Sequence, residues 1–194
     1  MDHYFTNNNI KDKPINFKVY IFNKRYEFLS NQGVFSKNKI DFGTNLLLNT
    51  IQITNEKSLL DLGSGIGIMG IILKDNYPNL RITLSDVNKR ALTLAKTNAN
   101  QNKVLVNIIE SNLFENIEDK FDVVISNPPI RAGKKITYKL YEDAYKHLNK
   151  DGSLWIVIRK AQGAKTTYSF LTTIYSEVVI VNKKNGYYIV KAIK

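Results

Sequence analysis

Short apolar segments alternate with segments of helical periodicity along most of this chain, and this alternation limits its possible folds more than any other feature. Five segments have the length and apolar content of buried strands: residues 57–62, 80–85, 104–109, 121–126 and 153–158. Four others have apolar residues at helical spacing: residues 68–75, 88–100, 138–148 and 164–174. Strand–helix alternation predicts a doubly wound, Rossmann-like α/β fold, in which helices cover both faces of a parallel sheet.

Two β-hairpins are expected outside this alternation. Residues 15–22 and 25–29 are rich in β-forming residues and flank a polar turn, which predicts an N-terminal hairpin extension. Residues 177–181 and 187–193 predict a second hairpin at the other end of the chain. With its two strands the sheet becomes seven-stranded and mostly parallel, and we expect the antiparallel strand at the edge.

The segment between the first hairpin and the alternating region predicts a short helix. Thr44 is placed to cap a helix over residues 45–51. We therefore expect the hairpin and this connecting helix, residues 1–52, to pack on a main domain of residues 53–194.

Composition excludes several kinds of chemistry. The chain has no cysteine and two histidines among its 194 residues, which leaves no thiolate nucleophile and little material for a metal site. We therefore expect no metal. The N-terminus lacks the apolar stretch of a signal peptide, and no apolar run is long enough to span a bilayer. A cytoplasmic protein without membrane contact is expected.

The charge of the chain is unevenly distributed. Its formal net charge is +11, and residues 131–194 carry 13 basic and 4 acidic side chains, against 15 and 13 in residues 1–130. The chain has 23 lysines, 23 asparagines and 23 isoleucines, which indicates the codon bias of an AT-rich genome. Such a bias would raise the lysine content evenly along the chain. The clustering instead favours a basic surface that binds phosphates.

A glycine-rich loop, LDLGSGIGIMG at residues 60–70, follows the first strand of the alternation and leads into a helix. Asp86 ends the next strand, where a carboxylate can accept hydrogen bonds from ribose hydroxyls. Gly65, Gly67 and Gly70 fit the dinucleotide-binding fingerprint. However, the carboxylate of Asp61, which precedes them, would repel a pyrophosphate and suits a cationic amino-acid group. The loop therefore resembles more closely the S-adenosylmethionine (SAM) loop of class I methyltransferases, carried here by Asp61, Gly63, Gly65 and Gly67.

The segment Asn127-Pro128-Pro129-Ile130 directly follows the strand at 121–126. Two prolines after a strand can simply end sheet pairing, but their position after a SAM-type loop indicates amine methylation. A planar exocyclic amine is a poor nucleophile until two acceptors take its N–H bonds and turn its lone pair towards the methyl donor. The side-chain carbonyl of Asn127 and the backbone carbonyl of Pro128, stiffened by the proline rings, are the expected acceptors.

Four segments together resemble one known family. They are Gly33-Val34-Phe35-Ser36, Asp41-Phe42-Gly43-Thr44, the glycine loop, and NPPIRAGK at residues 127–134. Together they are similar to the catalytic domain of RsmC-like methyltransferases, which modify guanine N2 in small-subunit (16S) ribosomal RNA. The resemblance covers residues 14–194. It implies the class I methyltransferase fold, SAM as cofactor, and ribosomal RNA or the small ribosomal subunit as partner.

The resemblance also assigns roles to individual residues. It implies that Asn127 and Pro128 hold the target amine. It further implies that the methionine part of SAM is bound by Asp61, Gly63, Gly65 and Gly67. The ribose would be bound by Asp86, and the adenine by Val87, Asn112 and Leu113. Asn112 stands where Asp is usual in the family, but its amide oxygen can still accept a hydrogen bond from the adenine amine.

Substrate contacts are expected at the same edge of the sheet. Ile130 replaces the aromatic residue found in many Asn-Pro-Pro enzymes and stacks less well on a base, so Phe42 or Phe35 is a candidate platform. Basic residues after the tetrad and after the strand at 153–158 are placed to anchor phosphates. The candidate substrate-binding residues are Pro129, Ile130, Arg131, Lys134, Lys135, Phe42, Lys160 and Lys165.

Other functions stay open on the sequence alone. The same tetrad serves methyltransferases of protein glutamine and of adenine N6, although an aromatic residue in place of Ile130 would favour these. A non-catalytic RNA-binding assembly factor could keep the fold with a vestigial cofactor loop. A nucleotide-dependent oxidoreductase fits least.

Overall fold

The computed structural model describes residues 14–31, 39–128 and 133–194. A short 3-10 turn, Lys160–Gln162, lies between the last parallel strand and the last helix. In chain order the other elements are β1 (Ile15–Ile21), β2 (Lys24–Ser30), α1 (Phe42–Leu48), β3 (Ser58–Leu62), α2 (Ile68–Asn76), β4 (Arg81–Asp86), α3 (Lys89–Gln101), β5 (Asn107–Glu110), β6 (Phe121–Ser126), α4 (Lys134–His147), β7 (Leu148–Arg159), α5 (Ala164–Leu171), β8 (Glu177–Lys184) and β9 (Tyr187–Ile193).

Seven strands form one sheet in the order β5-β4-β3-β6-β7-β9-β8, and β9 alone runs against its neighbours within it. The mostly parallel, doubly wound sheet and the N-terminal hairpin are thus confirmed. The prediction that the antiparallel strand lies at the edge was wrong, because the antiparallel strand, β9, lies inside the sheet and β8 forms the edge. β9 buries Ile189, Val190 and Ala192, whereas Val179 and Val181 of β8 are 40% and 43% exposed. The more apolar strand of the hairpin therefore takes the inner position.

Helices cover both faces of the sheet, and consecutive residues of the inner strand β3 point to opposite sides. Leu59 of β3 packs with the N-terminal hairpin and with α1, α2 and α3. Leu60 and Leu62 pack with α4 and α5 on the other face. All five residues of β3 are buried, Asp61 included. Burying a carboxylate is costly without compensation, so packing alone does not explain Asp61.

The N-terminal hairpin packs against α3 and is linked to the glycine loop through Asn98. The fully buried Asn98 side chain accepts the Leu29 N–H at 2.7 Å and donates to the carbonyls of Leu29 and Ile66 at 3.1 and 3.0 Å. At the other end of the hairpin, Tyr26 donates to the Asp75 carboxylate at 2.7 Å. One side-chain amide therefore connects the hairpin, α3 and the loop before α2. The division of the chain into residues 1–52 and a main domain of residues 53–194 stays a prediction.

Two helices begin earlier than the sequence predicts. α1 begins at Phe42, and its N-cap is Asp41, whose Oδ1 accepts the Thr44 N–H at 3.0 Å. The assignment of Thr44 as the cap was wrong, because Asp is an equally good N-cap and comes first. α4 begins at Lys134 rather than at residue 138. Lys134 and Lys135 therefore lie in its first turn, where the helix dipole adds to their positive potential.

Candidate functional site

The loops after β3, β4 and β6 meet at the carboxyl edge of the sheet. The Gly63 N–H donates to the Ser85 carbonyl at 2.8 Å, which joins the glycine loop to the end of β4. The Ser126 hydroxyl donates to the Leu62 carbonyl at 2.8 Å, which joins the end of β6 to the same loop. In open α/β sheets this edge is where ligands bind.

The glycine loop has an open side and a packed side. Gly63, Gly65 and Gly67 have φ values of 71°, 55° and 85°, a left-handed conformation that residues with side chains rarely adopt. A Cβ on Gly63 would meet no atom within 4 Å, whereas one on Gly70 would lie 2.2 Å from Cδ2 of Leu84. Gly70 therefore lets α2 pack closely on β4, and the open side at Gly63 lets a ligand approach the backbone.

Three buried side-chain oxygens at this edge of the sheet, on Asp61, Ser64 and Ser85, have no hydrogen-bond partner among the described residues. Oδ2 of the fully buried Asp61 accepts the Gly70 N–H at 2.9 Å, while Oδ1 has no hydrogen-bond partner among the described residues. Burial raises the pKa of Asp61 to about 7, and the charge of Asp86 adds to the rise. The buried hydroxyls of Ser64 and Ser85 also lack a partner in this part of the chain. The buried Asp61 carboxylate oxygen, which has no partner among the described residues, fits a ligand that carries a cationic amine.

Asp86 ends β4 with its carboxylate turned towards the glycine loop. Oδ2 accepts the Gly65 N–H at 2.8 Å, and Oδ1 accepts the Asn88 N–H at 2.9 Å. Carboxylate oxygens accept more than one hydrogen bond each, so these contacts are compatible with the expected ribose contacts. Val87, the residue expected against adenine, is partly exposed directly after Asp86.

Asn112 and Leu113 begin the loop after β5. The exposed Asn112 amide donates to the Glu115 carboxylate at 2.9 Å, and Leu113 has a φ of 53°. Because a carboxylate can only accept, the amide nitrogen of Asn112 faces Glu115 and its oxygen points away. No motif in the sequence marks Glu115, because a residue that orients a neighbour leaves no local pattern.

Asn127 lies directly after β6, beside the N-terminus of α1. Its Nδ2 is 3.1 Å from Oγ1 of Thr44 and 3.4 and 3.5 Å from the two carboxylate oxygens of Asp41. Its Oδ1 accepts no hydrogen bond from the residues that the structure describes. Pro128 is buried next to it. The sequence marked Asp41 and Thr44 only as parts of a motif, because their contact with Asn127 joins residues 86 and 83 positions apart.

Basic side chains surround this edge of the sheet. Lys134 and Lys135 in the first turn of α4, Lys160 in the 3-10 turn and Lys165 in the first turn of α5 are all exposed. Within residues 14–31, 39–128 and 133–194, none of these four lysines forms an ion pair. Three further predicted substrate-binding residues lie outside the described residues: Pro129, Ile130 and Arg131. Phe35, the alternative candidate for the base platform, lies outside them as well.

An aromatic contact that the sequence did not reveal involves Phe42, the residue after Asp41. The Phe42 and Tyr187 ring centroids are 5.2 Å apart. The exposed Arg159 guanidinium lies 4.7 Å from the Tyr187 ring centroid, and its Nε donates to the Tyr187 hydroxyl at 2.6 Å. Guanidinium and aromatic groups of this kind stack on unpaired bases, so Arg159 and Tyr187 join Phe42 as candidate substrate contacts.

The described residues contain no group of three or more His, Cys, Asp or Glu side chains that could hold a metal ion. No helix among them is long and apolar enough to cross a membrane.

The fold and the loop define a class of protein. A doubly wound sheet in this strand order, with a glycine loop after β3 and an acidic residue at the end of β4, is the class I methyltransferase architecture. The family model of the methyltransferase small domain matches residues 25–191. This chain belongs to the methyltransferase small domain family.

Two relatives and one solved structure are similar to the chain. It is 39% identical over 198 aligned residues to YbxB, an uncharacterized protein of Bacillus subtilis (strain 168), with 100% of this chain and 98% of YbxB covered. It is 40% identical over 129 residues to ribosomal RNA small subunit methyltransferase C of Haemophilus influenzae (strain PittGG). That alignment covers 64% of this chain and 39% of the methyltransferase, so the chain spans well under half of that relative.

The solved structure is the 16S rRNA N2 G1207 methyltransferase (RsmC) of T. thermophilus, in complex with AdoMet and guanosine. It matches with a TM-score of 0.82 at 21% identity, over 92% of this chain and 50% of that one. At that identity the likeness shows a shared fold. Together with the sequence alignment it confirms the resemblance to RsmC-like methyltransferases.

Proposed function

We propose that this chain is a SAM-dependent methyltransferase that modifies the exocyclic N2 amine of a guanine in small-subunit ribosomal RNA. One observation carries the proposal. The Asn127 amide, at the carboxyl edge beside the glycine loop, turns its nitrogen to Asp41 and Thr44 and leaves its oxygen to accept. The ribosomal RNA substrate is supported by the similarity to ribosomal RNA small subunit methyltransferase C, and the solved structure that shares this fold is a 16S rRNA N2 G1207 methyltransferase.

SAM, when bound, supplies an activated methyl group on a sulfonium sulfur. In the proposed site Asp61, Gly63, Gly65 and Gly67 hold its methionine part. The unpaired Oδ1 of Asp61 supports this assignment, because an ammonium group near two buried carboxylates lowers the cost of their charges. The ribose and adenine contacts are assigned to Asp86, Val87, Asn112 and Leu113.

The residues of the chain orient the nucleophile in this proposal and do not need to remove a proton before the transfer. Asn127 Oδ1 and the Pro128 carbonyl accept the two N–H bonds of guanine N2, so that the nitrogen lone pair points at the methyl carbon. The nitrogen–carbon bond forms as the carbon–sulfur bond breaks, the electron pair stays on sulfur, and one N–H proton passes to water. A neutral thioether leaves readily, so the rate enhancement comes from orientation and charge placement.

RNA is the proposed substrate because four exposed lysines surround this edge and form no ion pair with any described residue: Lys134, Lys135, Lys160 and Lys165. Phosphate contacts fix register and orientation on a nucleic acid. Phe42, with Tyr187 and Arg159, is the proposed platform for the target base or its neighbour, and Pro129, Ile130 and Arg131 complete the proposed contact set. A ribosomal substrate places the proposed activity in the cytoplasm.

The proposal is tested with radiolabelled SAM and small ribosomal subunits from cells that lack the modification. We expect label in RNA, and as N2-methylguanine after digestion to nucleosides. Calorimetry with SAM alone separates the alternatives. SAM binding with label in protein or adenine would identify a different amine or amide substrate. No SAM binding would support a non-catalytic RNA-binding factor.

A further inference from the structure

We propose that Asp41 is a positioning residue that fixes the side-chain amide of Asn127 with its oxygen towards the substrate amine. This role rests on the proposed function and deepens it, because it explains how the site selects an N–H donor as nucleophile. The contact between the two residues brings the N-cap of α1 to the end of β6. Thr44, in the first turn of α1, completes the arrangement.

The orientation of Asn127 decides whether the site can accept or donate. An asparagine side chain has nearly the same shape in both amide orientations, but one presents an acceptor and the other presents two donors. With the nitrogen towards the substrate, Asn127 would direct N–H groups against the N–H groups of an exocyclic amine. A residue that excludes this orientation therefore contributes directly to the rate.

Asp41 can exclude it because its carboxylate has no donor. Both carboxylate oxygens lie near Nδ2 of Asn127, at 3.4 and 3.5 Å, and Oγ1 of Thr44 lies at 3.1 Å. The two contacts to Asp41 are long for hydrogen bonds, but the reversed amide would place its oxygen against a negative charge. Donation to a carboxylate also polarises the amide and makes its oxygen a stronger acceptor.

Asp41 is itself held rigidly. Its Oδ1 accepts the Thr44 N–H at 3.0 Å and its backbone carbonyl accepts the Asn45 N–H at 3.0 Å, as an N-cap does. Capping alone does not require a carboxylate, because Asn caps a helix about as well as Asp. The substitution Asp41→Asn therefore keeps the cap and removes the feature that orients Asn127. Asp119→Asn, in the exposed loop before β6, is the matched control.

The first measurement needs no substrate. In 15N-labelled full-length protein, the side-chain amide signal of Asn127 is identified by its loss in Asn127→Ala. We expect Asp41→Asn to move this signal and to increase the exchange rate of its protons with water, and Asp119→Asn to leave both unchanged. An Asn127 amide signal that is the same in wild type and Asp41→Asn would overturn the proposal.

The second measurement is a double-mutant cycle in single-turnover methyl transfer with radiolabelled SAM. Asp41→Asn should lower the rate about 10-fold with the Kd for SAM unchanged, since one oriented contact is lost. In an Asn127→Ala background Asp41→Asn should have no further effect, because Asp41 acts through Asn127. Thr44→Val should lower the rate more than Thr44→Ser, which keeps the hydroxyl.

The outcomes separate the two proposals. Rate losses that multiply in the double variant would mean that Asp41 acts independently of Asn127, and would overturn the positioning role. A wild-type protein that binds SAM and labels no RNA would overturn the proposed function instead. In that case the amide signal of Asn127 still decides whether Asp41 orients it.

Discussion

The Glu115 carboxylate accepts a hydrogen bond from Nδ2 of Asn112 at 2.9 Å and thereby turns the amide oxygen of Asn112 outwards. Asp41 and Asn127 form a second carboxylate–asparagine contact at the same edge of the sheet. Each asparagine thus presents a neutral amide oxygen that can accept a hydrogen bond. In the proposed adenine site, this contact would let Asn112 act as an acceptor at a position where Asp is usual in the family.

Glu115→Gln is expected to weaken SAM binding, because glutamine can donate as well as accept and no longer fixes the Asn112 amide. Loss of one oriented hydrogen bond raises the Kd about 5-fold, with the single-turnover rate at saturating SAM unchanged. Calorimetry measures the Kd, and Glu118→Gln, in the same loop and exposed, is the control. Equal SAM affinity in the two variants would mean that Glu115 does not support the adenine site.

The parallel sheet could be predicted from the sequence because its signals are local. Five short apolar strands, the glycine loop and the residues at the strand ends all lie within segments of about a dozen residues, over which periodicity is informative. The inner position of β9 is not local. It depends on which strand of the hairpin buries more apolar surface against β7, and both strands contain runs of apolar residues.

In the candidate site, too, residues marked by local motifs could be predicted, whereas residues brought together by packing could not. Asn127 and Asp61 were found from motifs, whereas the partners that orient or surround them were not. Asp41 reaches Asn127 across 86 positions, and Arg159 reaches Tyr187 across 28. The first pair is fixed by the packing of α1 on the sheet, and the second by the pairing of β9 with β7. A spacing rule that works within one segment cannot predict such contacts.

Asp61 should make the ligand-free protein less stable as the pH rises. Its pKa is about 7 in the folded protein against 3.8 for an unperturbed Asp, so the folded state binds more protons between these values. The free energy of unfolding therefore falls as the pH rises from about 4 to 7. Between about pH 5.5 and pH 8, wild type should lose about 2 kcal/mol more than Asp61→Asn, which has no proton to lose.

Urea unfolding at the two pH values, without SAM, measures this difference. Asp119→Asn should follow the wild-type dependence, since Asp119 is exposed. Parallel pH dependences of wild type and Asp61→Asn would show that the Asp61 carboxylate is already compensated within the folded chain. Asp61→Asn should also bind SAM more weakly at every pH, because the proposed contact to the ammonium group loses its charge.

Asn127→Ala is expected to lower the single-turnover rate at least 100-fold, the effect of removing an oriented polar group at a reacting centre. The Kd for SAM should stay within about 2-fold of wild type, because Asn127 contacts the substrate amine in the proposed site. Rapid-mixing transfer assays and calorimetry give the two values. A variant that keeps most of its rate would reduce Asn127 to a residue that braces α1 against β6.

The lysines that surround the carboxyl edge should set the salt dependence of RNA binding. Each phosphate contact releases counterions, so the combined Lys160→Ala and Lys165→Ala variant should reduce the slope of log K against log salt by about 1.5. Lys120→Ala combined with Lys150→Ala, near the amino ends of β6 and β7 and equally exposed, removes the same charge from the opposite edge. If both double variants reduce the slope equally, net charge rather than a defined surface attracts the RNA. A change confined to Lys160 and Lys165 locates the RNA beside Asn127, because the loop after β7 lies at the same edge of the sheet as the loop after β6.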